Sequence, residues 1–220
     1  MELPKKALGL TGLAGLAALA TVGYALRSAH AAFAYPFWTL LVLTLATARM
    51  KVKLPGLTGN MAVSLPFLLT SVVELSLLEA LLVALPSCAA QCFPKGGGKP
   101  KAIQLIFNVS TMAMAVAAAN RVRAFGSNAV LLDATVFFLV QTIAVAAIVQ
   151  ATEGGAIHRI WSKMAHYSFP FYVLSAGVCM IVTSTVPGLG WQVPVWGVPV
   201  LYATYRSYET YFGALRGARA

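Results

Sequence analysis

The sequence predicts an all-α transmembrane protein, a single polytopic bundle of about eight helices, several of them short or kinked at proline. Three observations predict this fold. Hydrophobic residues make up 59% of the 220-residue chain, charged residues only 10%, and mean hydropathy is +0.78, whereas a soluble domain carries roughly 25% charged residues. Eight apolar stretches can be read along the chain. The Lys and Arg residues between them fall almost entirely into every second gap, the imbalance that orients short loops during membrane insertion.

The charge pattern predicts a cell (inner) membrane protein with both termini in the cytoplasm. Of the 16 basic residues, all but Arg27, Arg121 and Arg123 fall in gaps on one side of the predicted membrane. The net charge of +10 is spread in twos and threes at helix ends and is not interleaved with aromatic residues, which argues against a nucleic acid partner. We attribute it to topology and to attraction between the basic gaps and anionic lipid of the bilayer.

The first two spans are predicted from Ala7 to Leu26 and from Phe33 to Ala48. A spanning helix needs about 20 mostly apolar residues, and a shorter one is tolerated when buried or untilted. The first span carries Gly9, Gly12 and Gly15 at helical spacings, a small-residue face that lets another helix approach closely. This face suits either internal packing or the docking of another protein.

The segment from Lys51 to Phe93 is the least regular, and we expect function there. Its first ten residues contain Pro55 and Gly56, which indicate a turn. A short span from Met61 to Val73 follows, and a second apolar run leads to the end of the segment. The flanking charges of both runs lie on the same side, so Glu74 should mark the outer turn of a helical hairpin. A single kinked span here would invert the orientation of everything downstream.

The remaining spans are predicted at 103–119, 130–149, 169–186 and 193–205. Between the sixth and seventh spans we expect a long inner loop from Gln150 to His166, with an interfacial helix at Trp161. The eighth span leads into a cytoplasmic exit helix from Tyr202 to Tyr211. Kinks are expected at the prolines in or beside the spans, namely Pro36, Pro66, Pro86, Pro170, Pro194 and Pro199.

Three acidic residues, Glu74, Glu79 and Asp133, map to the outer half of the membrane. An ionisable group costs about 2.5 to 3.5 kcal/mol at a helix centre, so each needs a partner or water. In one interpretation Glu74 lies in the outer headgroup region and one acid pairs with Arg121 or Arg123. In the other, Glu79 and Asp133 face a polar cavity that opens outward, and Glu79 falls deeper in its helix than Glu74.

Two neutral residues complete the predicted ligand-binding set: Asn108 in the fifth span and Gln141 in the middle of the sixth. Hydrogen bonds between such groups are worth about 0.6 kcal/mol in a membrane.

The cysteines are Cys88 and Cys92, four apart, and Cys179 in a distant span. Their spacing suits neither a disulfide framework nor a zinc site, so we expect small apolar helix residues. No metal, cofactor or enzyme signature is indicated, although an intramembrane lipid-modifying enzyme using Glu79 or Asp133 remains a weaker alternative.

Several short runs resemble the N-terminal multispan membrane regions of bacterial cyclic-di-nucleotide signalling proteins: Arg49-Met-Lys-Val-Lys-Leu-Pro-Gly56, Asn60-Met-Ala-Val-Ser-Leu-Pro-Phe67, Glu79-Ala80, Gln91, Leu105-Ile-Phe-Asn108, and Pro199-Val-Leu-Tyr-Ala-Thr-Tyr-Arg-Ser-Tyr208 with Tyr211. The resemblance covers the chain from Arg49 onward. It implies a sensory domain whose exit helix leads into a cytoplasmic output domain. The chain departs from that pattern by ending at Ala220, so we expect a separate cytoplasmic partner.

The same features are similar to the substrate-binding membrane subunits of energy-coupling-factor vitamin transporters, small basic proteins whose first helix offers a small-residue face to a transport partner. That family usually has six spans, which would require two short segments to be loops. The sequence therefore predicts a non-enzymatic sensory module that binds a hydrophobic or amphipathic small molecule. The alternative is a subunit that captures a vitamin or metal for uptake.

Overall fold

The computed structural model describes residues 4–28, 31–53, 60–93, 100–122 and 130–189, together with the short pieces 202–203, 206–207 and 210. The helices are α1 (Lys5–Arg27), α2 (Tyr35–Ala48), α3 (Leu65–Glu74), α4 (Leu77–Cys92), α5 (Ala102–Val122), α6 (Val130–Glu153) and α7 (Ile157–Leu189). Two short strands, β1 (Lys51–Lys53) and β2 (Asn60–Ala62), lie between α2 and α3. The predicted class, a helical transmembrane bundle, is confirmed.

Four helices are long and apolar enough to cross a membrane: α1, α5, α6 and residues Ile157–Thr185 of α7. At 1.5 Å per residue, even the 21 residues of α5 reach about 32 Å, the thickness of the hydrocarbon core. The other three helices have 10 to 16 residues. Seven helices rather than eight therefore account for the described ranges, and the predicted span 193–205 lies outside them except for Tyr202 and Ala203.

The short helix α3 forms the centre of the bundle. It has 10 residues, about 15 Å, or half the depth of the hydrocarbon core. Every residue from Leu65 to Val72 is buried, because α2, α4, α6 and α7 all pack against it. Thr70 and Ser71, the two polar residues of this stretch, donate their hydroxyls to the carbonyls of Pro66 and Leu68, so that they are satisfied in this enclosed position.

Helices α3 and α4 form the predicted hairpin. Leu75 and Ser76 between them are extended, with ψ of 163° and 159°, which breaks the helix and reverses the chain. The amide of Gln91, near the end of α4, donates a hydrogen bond of 3.2 Å to the hydroxyl of Ser64, which precedes α3. In one continuous helix these residues would be about 40 Å apart. The contact therefore requires the two helices to run antiparallel.

The hydrogen-bonding pattern before α3 shows a feature that the sequence prediction missed. Strands β1 and β2 pair antiparallel, with Lys51 opposite Ala62, and the N–H of Val63 donates to the carbonyl of Met50 at 3.1 Å. Strands of three residues are too short to show the alternation by which strands are recognised in a sequence. The expected turn at Pro55 and Gly56 lies outside the described residues.

The long inner loop predicted from Gln150 to His166 is wrong. Helix α6 continues to Glu153, and a turn at Gly154 and Gly155 leads directly into α7, which has 33 residues. Both glycines have positive φ, 79° and 94°, a conformation that favours glycine. The loop was predicted because this stretch is polar, but the polar residues belong to the exposed first turns of α7. Trp161 is one of its helical residues and donates a 3.1 Å hydrogen bond to Thr142 of α6.

The prolines also differ from the prediction. Pro36 and Pro66 lie in the first turns of α2 and α3, where the missing N–H has no helical acceptor to lose. They begin helices and do not kink them. Pro86 and Pro170 do lie inside helices, and Pro194 and Pro199 are outside the described residues.

The helix connections gather at two ends of the bundle. The first, which we call the β-hairpin end, holds the start of α1, the two strands, the end of α4, the start of α5 and the α6–α7 turn. The second, the carboxylate end, holds the α1–α2 connection, the α3–α4 turn, the end of α5 and the start of α6. A contact at the carboxylate end, the Arg121 guanidinium 4.5 Å from the centre of the Tyr24 ring, joins the last turns of α5 and α1.

Candidate ligand-binding site at the carboxylate end

Glu79 lies in the first turn of α4 and is only 5% exposed. One carboxylate oxygen accepts from the N–H and the hydroxyl of Ser76, at 3.1 and 2.6 Å. The other accepts from the N–H of Phe33, at 2.8 Å. Ser76 and Glu79 thus form a capping box, which satisfies free N–H groups at the start of a helix. The carboxylate also ties the α1–α2 connection to the α3–α4 turn.

Phe33 holds a strained backbone conformation at this contact. Its φ is +44°, which is uncommon for residues other than glycine and marks an outlier for a bulky one. Its carbonyl accepts from the indole of Trp38 at 3.1 Å, and its ring packs edge-on against Phe37 with centroids 5.2 Å apart. The Glu79 carboxylate, Trp38 and Phe37 therefore hold the strained residue in place.

Asp133 is the most deeply buried carboxylate described, at 2% exposure in the first turn of α6. Asp133 and Glu74 both lie within electrostatic range of Cys179 of α7, whose thiol is within hydrogen-bonding reach of the Thr70 hydroxyl. We call Thr70, Glu74, Asp133 and Cys179 the carboxylate cluster. Helices α3, α6 and α7 each contribute to it. Glu74, at the end of α3, is exposed and forms its outer edge.

The other two predicted residues lie elsewhere. Asn108, in the second turn of α5 at the β-hairpin end, donates to the sulfur of Cys92 at 3.4 Å. Gln141 lies in the middle of α6, and its buried carbonyl oxygen has no hydrogen-bonding partner among the described residues. The five predicted residues thus do not form one site: Glu74 and Asp133 share the carboxylate cluster, and Glu79 bonds to the neighbouring α1–α2 connection.

Sequence reasoning missed several of these positions. The capping box was readable, because a serine followed three residues later by glutamate before an apolar run is its signature. The contributions of Thr70 and Cys179 left no such signal, since a single Thr or Cys in an apolar span is usually a packing residue. Arg121 was considered as a partner for an acid, and the structure places its guanidinium over Tyr24.

The surface and the charges define the class of the protein. Leu13, Leu16 and Leu19 of α1 are 67 to 71% exposed, an apolar surface that water would not support but lipid covers. At the β-hairpin end lie eight described basic residues: Lys5, Lys6, Arg49, Lys51, Lys53, Lys101, Arg159 and Lys163. The carboxylate end has two, Arg27 and Arg121. The chain is an integral membrane protein with one strongly basic end.

Comparison with known protein families, with curated proteins and with solved structures finds no match for this chain.

Proposed function

We propose that the chain is a non-enzymatic sensory module of the cell membrane, in which the carboxylate cluster recognises a hydrophobic or amphipathic small molecule. One observation carries this proposal: Asp133, at 2% exposure, lies inside an apolar bundle within electrostatic range of Cys179. Intramembrane carboxyl groups are costly and mark functional sites by default. The burial of Glu79 is explained by its capping box, which is why we place Asp133 and not Glu79 at the centre of the proposed site.

The cluster favours a ligand with a cationic or hydrogen-bond-donating head. Two carboxyl groups, Glu74 and Asp133, lie within electrostatic range of one thiol, and most of the buried residues of α3 are apolar. A positive or donating head would interact with the carboxylates, while an apolar body would pack between helices. The exposed position of Glu74 supports access from the carboxylate end.

Helix α7 provides the route from the cluster to the opposite end. It runs from Ile157 through Cys179, a distance of about 33 Å. A ligand that shifts α7 at Cys179 would therefore displace the basic first turns of the same helix, where a cytoplasmic partner is expected. The resemblance to the membrane regions of cyclic-di-nucleotide signalling proteins agrees with such an output.

The proposal is tested by native mass spectrometry of the detergent-purified chain, which detects small molecules that co-purify. Asp133→Asn should reduce the retained ligand at least tenfold, since the variant removes the buried carboxyl group and keeps the size of the side chain. Glu153→Gln is the matched control, because it neutralises an exposed carboxyl at the other end of the same helix. Equal retention by Asp133→Asn and wild type, or no retained molecule in either, overturns the proposal.

A second pair of variants separates binding from folding. Glu79→Ala leaves the N–H groups of Phe33 and Ser76 without their acceptor, so we expect a loss of about 1 to 3 kcal/mol of unfolding free energy. Glu79→Gln retains a carbonyl acceptor and should lose less. Ligand retention per folded molecule should be unchanged in both, in contrast to Asp133→Asn.

A transport subunit is the second candidate, favoured by one feature of α1. A side chain placed at Gly9, Gly12 or Gly23 would meet no atom within 4 Å, so the face containing Gly9 and Gly12 is not used for packing within the described bundle. A coupling protein that docks there would be released by Gly12→Leu, without any loss of stability. Co-purification of the two proteins, with and without this substitution, tests the alternative.

A further inference from the structure

Two thiols at the β-hairpin end form a pair that the proposed function does not use. Cys88 and Cys92 are one helical turn apart on α4, and the two thiols lie within hydrogen-bonding reach of each other. Cys88 is 4% exposed. Cys92 is the last residue of α4 and is partly exposed, so solvent at this end of the bundle can reach the pair.

Helix α5 adds two side chains to the pair. Asn108 donates its amide N–H to the sulfur of Cys92 at 3.4 Å. Helices α4 and α5 run antiparallel. Met112 lies one turn after Asn108, and Cys88 lies one turn before Cys92, so Met112 and Cys88 are at the same level. Met112 and Cys88 are both buried in the same hydrophobic cluster. Because Met112 is four residues after Asn108, it lies on the same face of α5 and is level with the thiols.

The backbone spacing does not suit a disulfide between these cysteines. Helical residues four apart have Cβ atoms about 5 to 6 Å from each other, whereas a disulfide needs about 3.5 to 4.5 Å. An ion between the sulfurs fits better, because a metal–sulfur bond of about 2.3 Å holds two sulfurs roughly 4 Å apart.

From this arrangement we infer that Cys88, Cys92 and Met112 form a binding site for a soft monovalent metal ion, with copper(I) as the ion of matching chemistry. Thiolate and thioether sulfur are the ligands that select copper(I). Structural zinc sites require four ligands of Cys, His or carboxylate type. No three His, Cys, Asp or Glu side chains are grouped as metal ligands in the parts of the chain that the structure describes.

Binding releases protons and leaves a negative charge on the site. Two thiols lose two protons to solvent, and one monovalent cation takes their place between the sulfurs, so the centre carries a charge of minus one. The Asn108 amide stabilises the sulfur of Cys92 by hydrogen bonding. Lys101 is the residue before α5 and belongs to the basic β-hairpin end, whose positive charges favour a negatively charged centre.

The test measures transfer of copper(I) from its bathocuproine disulfonate complex to the reduced, detergent-purified full chain. We expect one copper(I) per chain, at least a tenfold weaker affinity in Cys92→Ala, and a several-fold weaker affinity in Met112→Leu. Cys179→Ala is the matched control, because it removes a buried thiol from a different helix, and its affinity should equal that of the wild type.

A labelling experiment on the wild-type chain avoids any effect of substitution on folding. Bound copper(I) or silver(I) should protect Cys92 from a maleimide, and an equal concentration of zinc should not. The inference is overturned if Cys92→Ala binds copper(I) as tightly as the wild type, if Cys179→Ala loses as much, or if zinc protects Cys92 equally well.

Discussion

At the scale of single residues, Phe33 shows how a local conformational cost is offset by several contacts. A left-handed backbone costs about 1 to 2 kcal/mol in a residue with a Cβ. The hydrogen bond to Glu79 and the ring contact with Phe37 offset it. The sequence cannot reveal this strain, because nothing in the order of residues fixes φ at a phenylalanine.

The strain at Phe33 is tested by comparing two truncations. Phe33→Gly and Phe33→Ala both lose the ring, but only glycine adopts a φ of +44° without steric cost. We expect Phe33→Gly to be the more stable variant by about 1 kcal/mol, measured by denaturant unfolding in micelles. An alanine variant of equal or greater stability would show that the backbone is not strained.

The buried acids show what residue chemistry does and does not predict. The sequence predicted that Glu79 lies deeper than Glu74, and the structure has Glu79 at 5% exposure and Glu74 exposed. It did not predict that the Glu79 carboxylate would accept hydrogen bonds from Ser76 and Phe33. Phe33 is 46 residues from Glu79 in the sequence. A hydrogen bond over that separation depends on how four helix ends pack, which no local pattern encodes.

At the scale of elements, the α3–α4 hairpin decides the topology of everything after it. The sequence predicted the hairpin from charge alone, since the basic residues on either side of this segment had to face the same side. The β-hairpin and the length of α7 were missed for a common reason: polar residues at a membrane boundary look the same in a loop, a strand or a projecting helix.

A cross-linking experiment checks the hairpin. In a variant without Cys88 and Cys92, Ser64→Cys combined with Gln91→Cys should be joined by a short bifunctional thiol reagent such as dibromobimane. The wild-type side chains approach to 3.2 Å. Ser64→Cys with Leu78→Cys is the control, since Leu78 lies at the carboxylate end and should not react. Cross-linking of the control pair instead would contradict the antiparallel arrangement.

At the scale of the whole molecule, charge separates the two ends of the bundle. Eight described basic residues lie at the β-hairpin end and two at the carboxylate end, and from this difference the positive-inside rule predicts that the β-hairpin end faces the cytoplasm. Composition was sufficient to predict the class of fold, because an apolar chain in lipid has few alternatives to a helical bundle.

Orientation is measurable with cysteines added at the two ends. In a Cys92→Ala background, Arg27→Cys should react with a membrane-impermeant maleimide in intact cells. Lys5→Cys should react only after permeabilisation, because its end is predicted to be cytoplasmic. The reverse pattern of labelling would show that the carboxylate cluster faces the cytoplasm and would contradict the predicted orientation.

The unequal helix lengths have a consequence for the surrounding lipid. The 14 residues of α2 reach only about 21 Å, and its Trp38 and Val42 are exposed. By contrast, α6 and α7 have 24 and 33 residues. These lengths correspond to about 36 and 50 Å, more than the roughly 30 Å of an average hydrocarbon core. The bilayer would have to become thinner beside α2. Beside α6 and α7 it would have to become thicker, unless α7 tilts. Because the helices differ in length, the energy of the molecule should depend on the thickness of the bilayer around it.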